Sequence, residues 1–130
     1  MSSRRRDGTA AAGRAGEEAA ACFLRSRGYE IVRRRYRRYG AEVDLVVRLG
    51  RVLAFVEVKL RRSHRLGSPV ESVPPRKQAR IARAAAAFLA EHPDLSRLEC
   101  RFDLIGIEPH PDGTVRIEHL PAAFSAPQGG

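Results

Sequence analysis

Apolar and polar positions alternate between residues 40 and 59, which predicts two β-strands joined by a tight turn. Gly50-Arg51 lies midway, and a Gly-X pair is typical of a two-residue type II′ turn. If these two residues form the turn, Leu49 lies opposite Val52. The register of the whole hairpin follows from that pair.

Because side chains alternate along a strand, this register gives the hairpin two different faces. The apolar face comprises Val43, Leu45, Val47, Ala54, Val56 and Val58. The second face comprises Glu42, Asp44, Val46, Phe55, Glu57 and Lys59. The register therefore predicts a carboxylate on each strand, Asp44 directly opposite Glu57.

Two carboxylates in one cross-strand pair repel each other unless they are solvated or share a cation. Mg²⁺ prefers carboxylate ligands, so the pair Asp44 and Glu57 is compatible with a divalent-metal site. Lys59 lies on the same face and can hold a phosphate oxygen or an attacking water beside the metal. An exposed polar face with satisfied charges is the alternative interpretation.

Helical periodicity precedes and follows the hairpin. It predicts a helix over residues 13–27, in which Glu17 lies near the edge of the apolar stripe and can point toward the body of the protein. A second helix is predicted over residues 76–91, and strands over residues 29–36, 99–107 and 115–119. The fold class predicted is α/β.

The order strand, crossover helix, strand over residues 52–107 predicts a right-handed βαβ unit with parallel strands. Together with the antiparallel hairpin at residues 40–59, it gives a mixed sheet with helices on both sides. We expect one domain over residues 13–120, a flexible basic tail at residues 1–12 and a second tail at residues 121–130.

Composition adds a preference for polyanionic partners. The chain has 130 residues, a net charge of +9 and a pI of about 10.9, which favours nucleic acid first. No apolar run is long enough for a transmembrane helix, so no membrane partner is expected. Cys22 and Cys100 lie outside any CxxC motif, which predicts buried free thiols and a cytoplasmic protein.

Basic residues that can contact phosphates are concentrated in two segments of the chain, and one more lies on the second predicted helix. In the first segment, residues 33–39, Tyr36 and Tyr39 lie among the arginines, an arrangement that also suits base stacking. A solvated charge run is an equal alternative. The candidate nucleic-acid contacts are Arg33, Arg34, Arg35, Arg37 and Arg38, then Arg61, Arg62 and Arg65 in the following loop, and Lys77 on the second helix.

Asp44, twelve intervening residues and then Glu57-Val58-Lys59 match the D-(x)n-ExK core of the PD-(D/E)xK nuclease superfamily. Further motifs make the chain resemble the YraN-like family of predicted endonucleases, which are similar to archaeal Holliday junction resolvases. These motifs are Gly13-x-x-Gly16-Glu17, Gly28-Tyr29, Glu42 to Val46, Phe55 to Lys59 with Arg61, Gly67, Lys77 and Arg101-Phe102-Asp103. The resemblance covers roughly residues 13–108.

The resemblance implies a restriction-endonuclease-like three-layer core that binds Mg²⁺ or Mn²⁺. Asp44, Glu57, the Val58 carbonyl and Glu17 would be metal ligands, and Lys59 would orient the attacking water. The implied function is hydrolysis of DNA rather than RNA by a homodimer, with branched DNA as one candidate substrate. The alternative is a non-catalytic nucleic-acid-binding module. One departure is Ala41, which intervenes between Gly40 and the Glu42-x-Asp44 motif.

Overall fold

The computed structural model describes residues 2–61 and 73–125, with side chains from residue 13 onward. This part of the chain folds into five strands, two α-helices and one turn of 3-10 helix at Pro93–Leu95. The α-helices are α1 (Ser2–Ser26) and α2 (Pro75–Glu91). The strands are β1 (Glu30–Arg38), β2 (Ala41–Leu49), β3 (Val52–Leu60), β4 (Glu99–Pro109) and β5 (Val115–Phe124). Neither described helix has the length and apolar character that a membrane span requires.

The strands form one mixed sheet in the order β1-β2-β3-β4-β5. Pairing is antiparallel except between β3 and β4, which are parallel and joined through α2. The predicted hairpin is confirmed from Leu49↔Val52 to Leu45↔Val56. Gly50 has φ of 60° and Arg51 does not have a positive φ, as a type II′ turn requires. The mixed sheet and the βαβ unit predicted from the sequence are therefore both present.

Each face of the sheet packs against one helix, which gives the molecule two cores. The α1-side core contains Leu24 of α1 with alternate strand residues such as Leu45 and Val56. The α2-side core contains Phe88 of α2 with the intervening residues such as Phe55. The period of two along the strands and of 3.6 along the helices explains this three-layer arrangement.

The alternation along β2 changes phase at Asp44. Val43 packs in the α2-side core and Leu45 in the α1-side core, whereas strict alternation predicts the same face for both. The sequence prediction for Val43 is therefore wrong. Opposite this point on β1, Arg35 has a left-handed φ of 51°, which interrupts the regular strand. The ladder between β2 and β3 also ends at Leu45↔Val56, so Asp44 and Glu57 are not a ladder pair.

Three further predictions differ from the structure. The first helix begins at Ser2 instead of residue 13, because Ala and Arg favour helix without giving an apolar period. The last strand continues to Phe124, where a register shift and the left-handed Ala122 (φ 54°) hide the alternation. Cys22 and Cys100 are free but exposed, not buried.

Candidate catalytic and metal-binding pocket

A cavity of about 570 Å³ opens where β2 and β3 diverge. Its floor is formed by the start of β2 and the end of β3, and α2 covers one side. The strand residues that line it include Glu42, Asp44, Glu57 and Lys59, and the helix residues include Arg76, Lys77 and Arg80. The cavity thus has acidic groups on its floor and basic groups along its rim.

Asp44 is the most perturbed acid of this pocket. Its side chain is 9% exposed, and Oδ2 accepts a hydrogen bond of 2.7 Å from the backbone N–H of Val58. Burial and the nearby charge of Glu57 raise the pKa of Asp44 to about 8, although the Val58 hydrogen bond acts in the opposite direction. Because this buried acid holds its proton near neutral pH, any cation that reaches it stabilises its ionised form.

Glu57 is buried and lies between two lysines from different elements. Lys77 of α2 contacts Glu57 Oε2, and Lys59 Nζ lies 3.4 Å from the same oxygen. Burial and the neighbouring Lys77 lower the pKa of Lys59, against the opposing charge of Glu57. Burial opposes the shift at Lys77, but the hydrogen bond and charge of Glu57 still raise its pKa. The two lysines therefore differ in how firmly they hold their protons.

Glu17, Glu42 and Asp44 each offer one carboxylate oxygen within 4.8 Å of the others. Glu17 comes from α1 and the other two from β2, so the three carboxylates meet only after this helix has packed on the sheet. Two arginines of β1 form ion pairs with the two glutamates. Arg35 Nε lies 2.7 Å from Glu17 Oε1, and Arg37 Nε lies 2.5 Å from Glu42 Oε2. The structure thus brings Glu17 and Glu42 to Asp44, and Glu57 lies beside both Asp44 and the two lysines.

Glu42 was not among the ligands expected from the sequence. The signal was available, because Glu42 and Asp44 form a Glu-x-Asp pair on one strand. Strict alternation, however, placed Glu42 toward α2, and the phase change at Asp44 instead brings it to Glu17 of α1. Arg76 and Arg80 also line the pocket although only Lys77 was predicted to reach it. Val58 contacts Asp44 through its N–H.

The arginine-rich strand β1 is largely occupied by contacts within the protein. Besides the contacts of Arg35 and Arg37, Arg34 Nη1 lies 2.6 Å from Glu18 and Arg38 Nη2 lies 2.7 Å from Glu91. The Arg33 guanidinium lies 5.4 Å from the centre of the Tyr36 ring. Neither interpretation made from the sequence, phosphate contacts or a solvated charge run, includes this ion pairing to acids of α1, β2 and α2.

Of the predicted loop contacts, Arg61 lies at the end of β3, and its N–H donates to the Ile107 carbonyl at 2.7 Å. Arg62 and Arg65 lie outside the described residues. The structure therefore adds a position for one of these three arginines.

A second buried acid, Asp103, lies on β4 away from the pocket lining. Arg101 donates to both of its oxygens at 2.8 Å, His119 Nε2 lies 2.8 Å from Oδ2 and the Ala122 N–H donates to Oδ1. Arg101 also donates to the Tyr29 hydroxyl. Burial opposes the shift, yet the hydrogen bonds from His119 and Arg101 lower the pKa of Asp103. The network ties β4, β5 and the start of β1 together.

The sheet, the two covering helices and the pocket define a small basic α/β protein with buried acids and lysines at one end of the sheet. The chain belongs to the Uncharacterised protein family UPF0102, whose family model matches residues 16–107. That range includes α1 from Gly16, the hairpin, α2 and β4 as far as Ile107, and therefore every acidic residue of the pocket.

Relatives of this family are similar over nearly their whole length. The chain is 47% identical over 118 residues to a UPF0102 protein of Symbiobacterium thermophilum and 48% over 114 residues to one of Frankia casuarinae. Both alignments cover 88% of this chain and 96% of the relative. A UPF0102 protein of Chlorobium phaeobacteroides is 43% identical over 117 residues, covering 86% of this chain and 92% of the relative.

Proposed function

We propose that this protein is a divalent-metal-dependent nuclease that hydrolyses phosphodiester bonds in DNA, built on a restriction-endonuclease-like core. The observation that carries the proposal is the pairing of buried Asp44 and Glu57 with Lys59 and Lys77 in one open cavity. Buried acids in a cleft are typical of functional sites, because burial of such groups costs stability.

The donor set fits Mg²⁺ or Mn²⁺. Both ions favour oxygen ligands, and Mg–O distances of about 2.0–2.1 Å place opposite ligands about 4.2 Å apart. The oxygens of Glu17, Glu42 and Asp44 lie within 4.8 Å of one another, so small side-chain rotations suffice. Glu57 and the Val58 carbonyl are the further candidate ligands. When bound, the ion would polarise the scissile phosphate and lower the pKa of a coordinated water.

The protein's own residues supply the remaining chemistry. Lys59, whose pKa is lowered, is suited to orient the attacking water and to take part in its proton transfer. Lys77, whose pKa is raised, keeps its charge and can stabilise the negative charge that develops on the phosphate oxygens. Arg76 and Arg80 on the rim can hold the flanking phosphates without reading bases.

The proposed substrate is DNA rather than RNA, with branched DNA as a candidate, because of the resemblance to resolvases. The basic charge of +9 supports affinity for either polymer. A homodimer is part of the proposal, since resolvase-like relatives cut paired strands. Light scattering at micromolar concentration tests it, and a monomer would contradict it.

The test is cleavage of labelled linear duplexes and four-way junctions by the full chain with Mg²⁺ or Mn²⁺. We expect cleavage by the wild type and a loss of at least about 100-fold in Asp44→Asn and Glu57→Gln. Glu17→Gln and Glu18→Gln form a matched pair on α1, because only Glu17 lies beside Asp44. Full activity in Asp44→Asn, or equal effects at Glu17 and Glu18, would contradict the site.

The second candidate is a non-catalytic nucleic-acid-binding module. Ion pairs within the protein favour it, because they already neutralise the candidate ligands: Arg35 pairs with Glu17, Arg37 with Glu42 and Lys77 with Glu57. Such a module binds DNA with a steep salt dependence but cleaves no substrate with either metal. Binding without cleavage in the same assay would therefore favour this function.

A further inference from the structure

Tyr39 lies at the tip of a hairpin beside the pocket in a conformation that disfavours a bulky side chain. Arg38 pairs with Ala41, so Tyr39-Gly40 is a two-residue loop. Their φ values of 56° and 73° are both positive, as in a type I′ turn. That turn favours Asn-Gly, whereas a bulky residue with positive φ is strained. Strain of this kind is characteristic of functional sites.

Tyr39 is 68% exposed, the largest exposure among the exposed large hydrophobic residues of the described chain. A single exposed aromatic residue carries no function by itself. Here the ring adjoins a surface cavity of about 710 Å³ whose lining runs from Arg37 to Glu42. Gly40, Ala41 and Glu42 line both this cavity and the acidic pocket, so the two lie next to each other.

The residues next to Tyr39 suit a phosphodiester backbone. The Arg37 side chain is 76% exposed, and within the described residues its side chain makes one hydrogen bond, through Nε to Glu42. Because a guanidinium has five N–H donors, others remain for a phosphate. An aromatic face beside a basic groove is the arrangement by which proteins hold unpaired bases.

From these observations we infer that Tyr39 is a specificity-determining residue that stacks on an unpaired base beside the scissile phosphate. The substrate class is DNA with a strand boundary, such as a fork, flap or junction, in preference to a continuous duplex. The inference rests on the proposed function, because it assigns the strand to be cut to the acidic pocket. A continuous duplex offers no unstacked base and gains nothing from Tyr39.

The test measures binding of the full chain to a forked DNA and to a blunt duplex of equal length, with Ca²⁺ replacing Mg²⁺. The fork carries 2-aminopurine at its first unpaired position, since stacking quenches that base. We expect quenching and a fork preference in the wild type. Tyr39→Asn should abolish the quenching and weaken fork binding by about 5- to 150-fold, the range of one base–aromatic stack. Blunt-duplex binding should not change.

Tyr39→Asn also serves as its own folding control, because Asn-Gly fits a type I′ turn better than Tyr-Gly. Its melting temperature should equal or exceed that of the wild type. Tyr39→Trp should retain the fork preference. Leu49→Ala, which alters an exposed apolar residue at the other end of β2, should not affect it.

Three outcomes would overturn the inference: retained quenching in Tyr39→Asn, equal losses on fork and blunt duplex, or a wild type without fork preference. The nuclease proposal survives each of them, because it requires only metal-dependent cleavage. Conversely, a Tyr39-dependent fork preference without cleavage supports the stacking role of Tyr39 and contradicts the nuclease proposal, together with the part of this inference that places the base beside a scissile phosphate.

Discussion

Asp103 and Asp44 are both buried in this protein, and their surroundings shift their pKa values in opposite directions. Asp103 is fully buried and surrounded by donors from Arg101, His119 and the Ala122 backbone. Asp44 is 9% exposed and has one backbone donor, with Glu57 and Glu17 as its charged neighbours. The pKa is lowered in the first case and raised to about 8 in the second.

This difference separates a buried charge that the surrounding contacts satisfy from one that they do not satisfy. A satisfied buried carboxylate holds segments together, and removing it leaves its donors unpaired. A carboxylate buried beside other carboxylates reduces stability in the metal-free protein, so another benefit must explain it. At Asp44 the proposed benefit is metal binding, whereas at Asp103 the described contacts account for the burial completely.

The largest expected effect is on stability at Asp103. Asp103→Asn should lower the free energy of unfolding by about 3–5 kcal/mol, because Arg101 and His119 lose a charged acceptor inside the protein. Asp44→Asn should leave the free energy of unfolding unchanged or raise it. Urea unfolding at pH 7 with EDTA measures both. Equal destabilisation by the two substitutions would remove the distinction.

The second prediction concerns pH. The pKa of Asp44 is raised in the folded protein, so its proton favours folding at low pH. That contribution is complete below about pH 4 and is lost as the pH rises through about 8. Asp44→Asn has no such loss and should gain on the order of 3 kcal/mol relative to the wild type across this interval. Unfolding curves in EDTA from pH 4.5 to 9 measure the gap, and parallel profiles would contradict it.

The third prediction concerns the metal. Mn²⁺ at 100 times its dissociation constant should raise the free energy of unfolding by about 2.7 kcal/mol, and EDTA should reverse the gain. Asp44→Asn should show no gain, whereas Glu18→Gln should behave as the wild type. Thermal unfolding with and without Mn²⁺ tests this. A similar gain in all three proteins would indicate that the ion binds elsewhere.

The smallest expected effect concerns Arg35, which forms an ion pair with Glu17. Arg35→Gln should tighten Mn²⁺ binding in the absence of DNA by at most about fivefold, because the ion pair of Arg35 with Glu17 is partly exposed and therefore weak. Arg34→Gln is the matched control, since Arg34 pairs with Glu18 instead. Calorimetric titration compares them. Equal affinities would show that Arg35 does not compete with the metal.

The fold was largely predictable where a turn sequence or a regular apolar stripe marks an element. Gly50-Arg51 fixed the hairpin register, and the apolar stripe from Ile81 to Phe88 fixed α2 and hence the parallel crossover. The extent of α1 was not predictable from periodicity, because its first residues include no large apolar side chain.

The site was predictable in its residue types more than in its geometry. Asp44, Glu57 and Lys59 line one pocket as the spacing suggested. The grouping of Glu17 with Glu42 was not foreseen, since it depends on the left-handed φ of Arg35 and the phase change at Asp44. Neither feature involves a glycine or proline that could have signalled it.

The position of the arginine-rich strand β1 at the edge of the sheet has a consequence for solubility. An edge strand presents unpaired backbone groups that can add a strand from another molecule. Long charged side chains along β1 discourage such addition, even where their charges are used in ion pairs. Replacing Arg33 and Arg37 with valine would leave a long, β-prone edge. This same segment would then promote aggregation of the protein instead of opposing it.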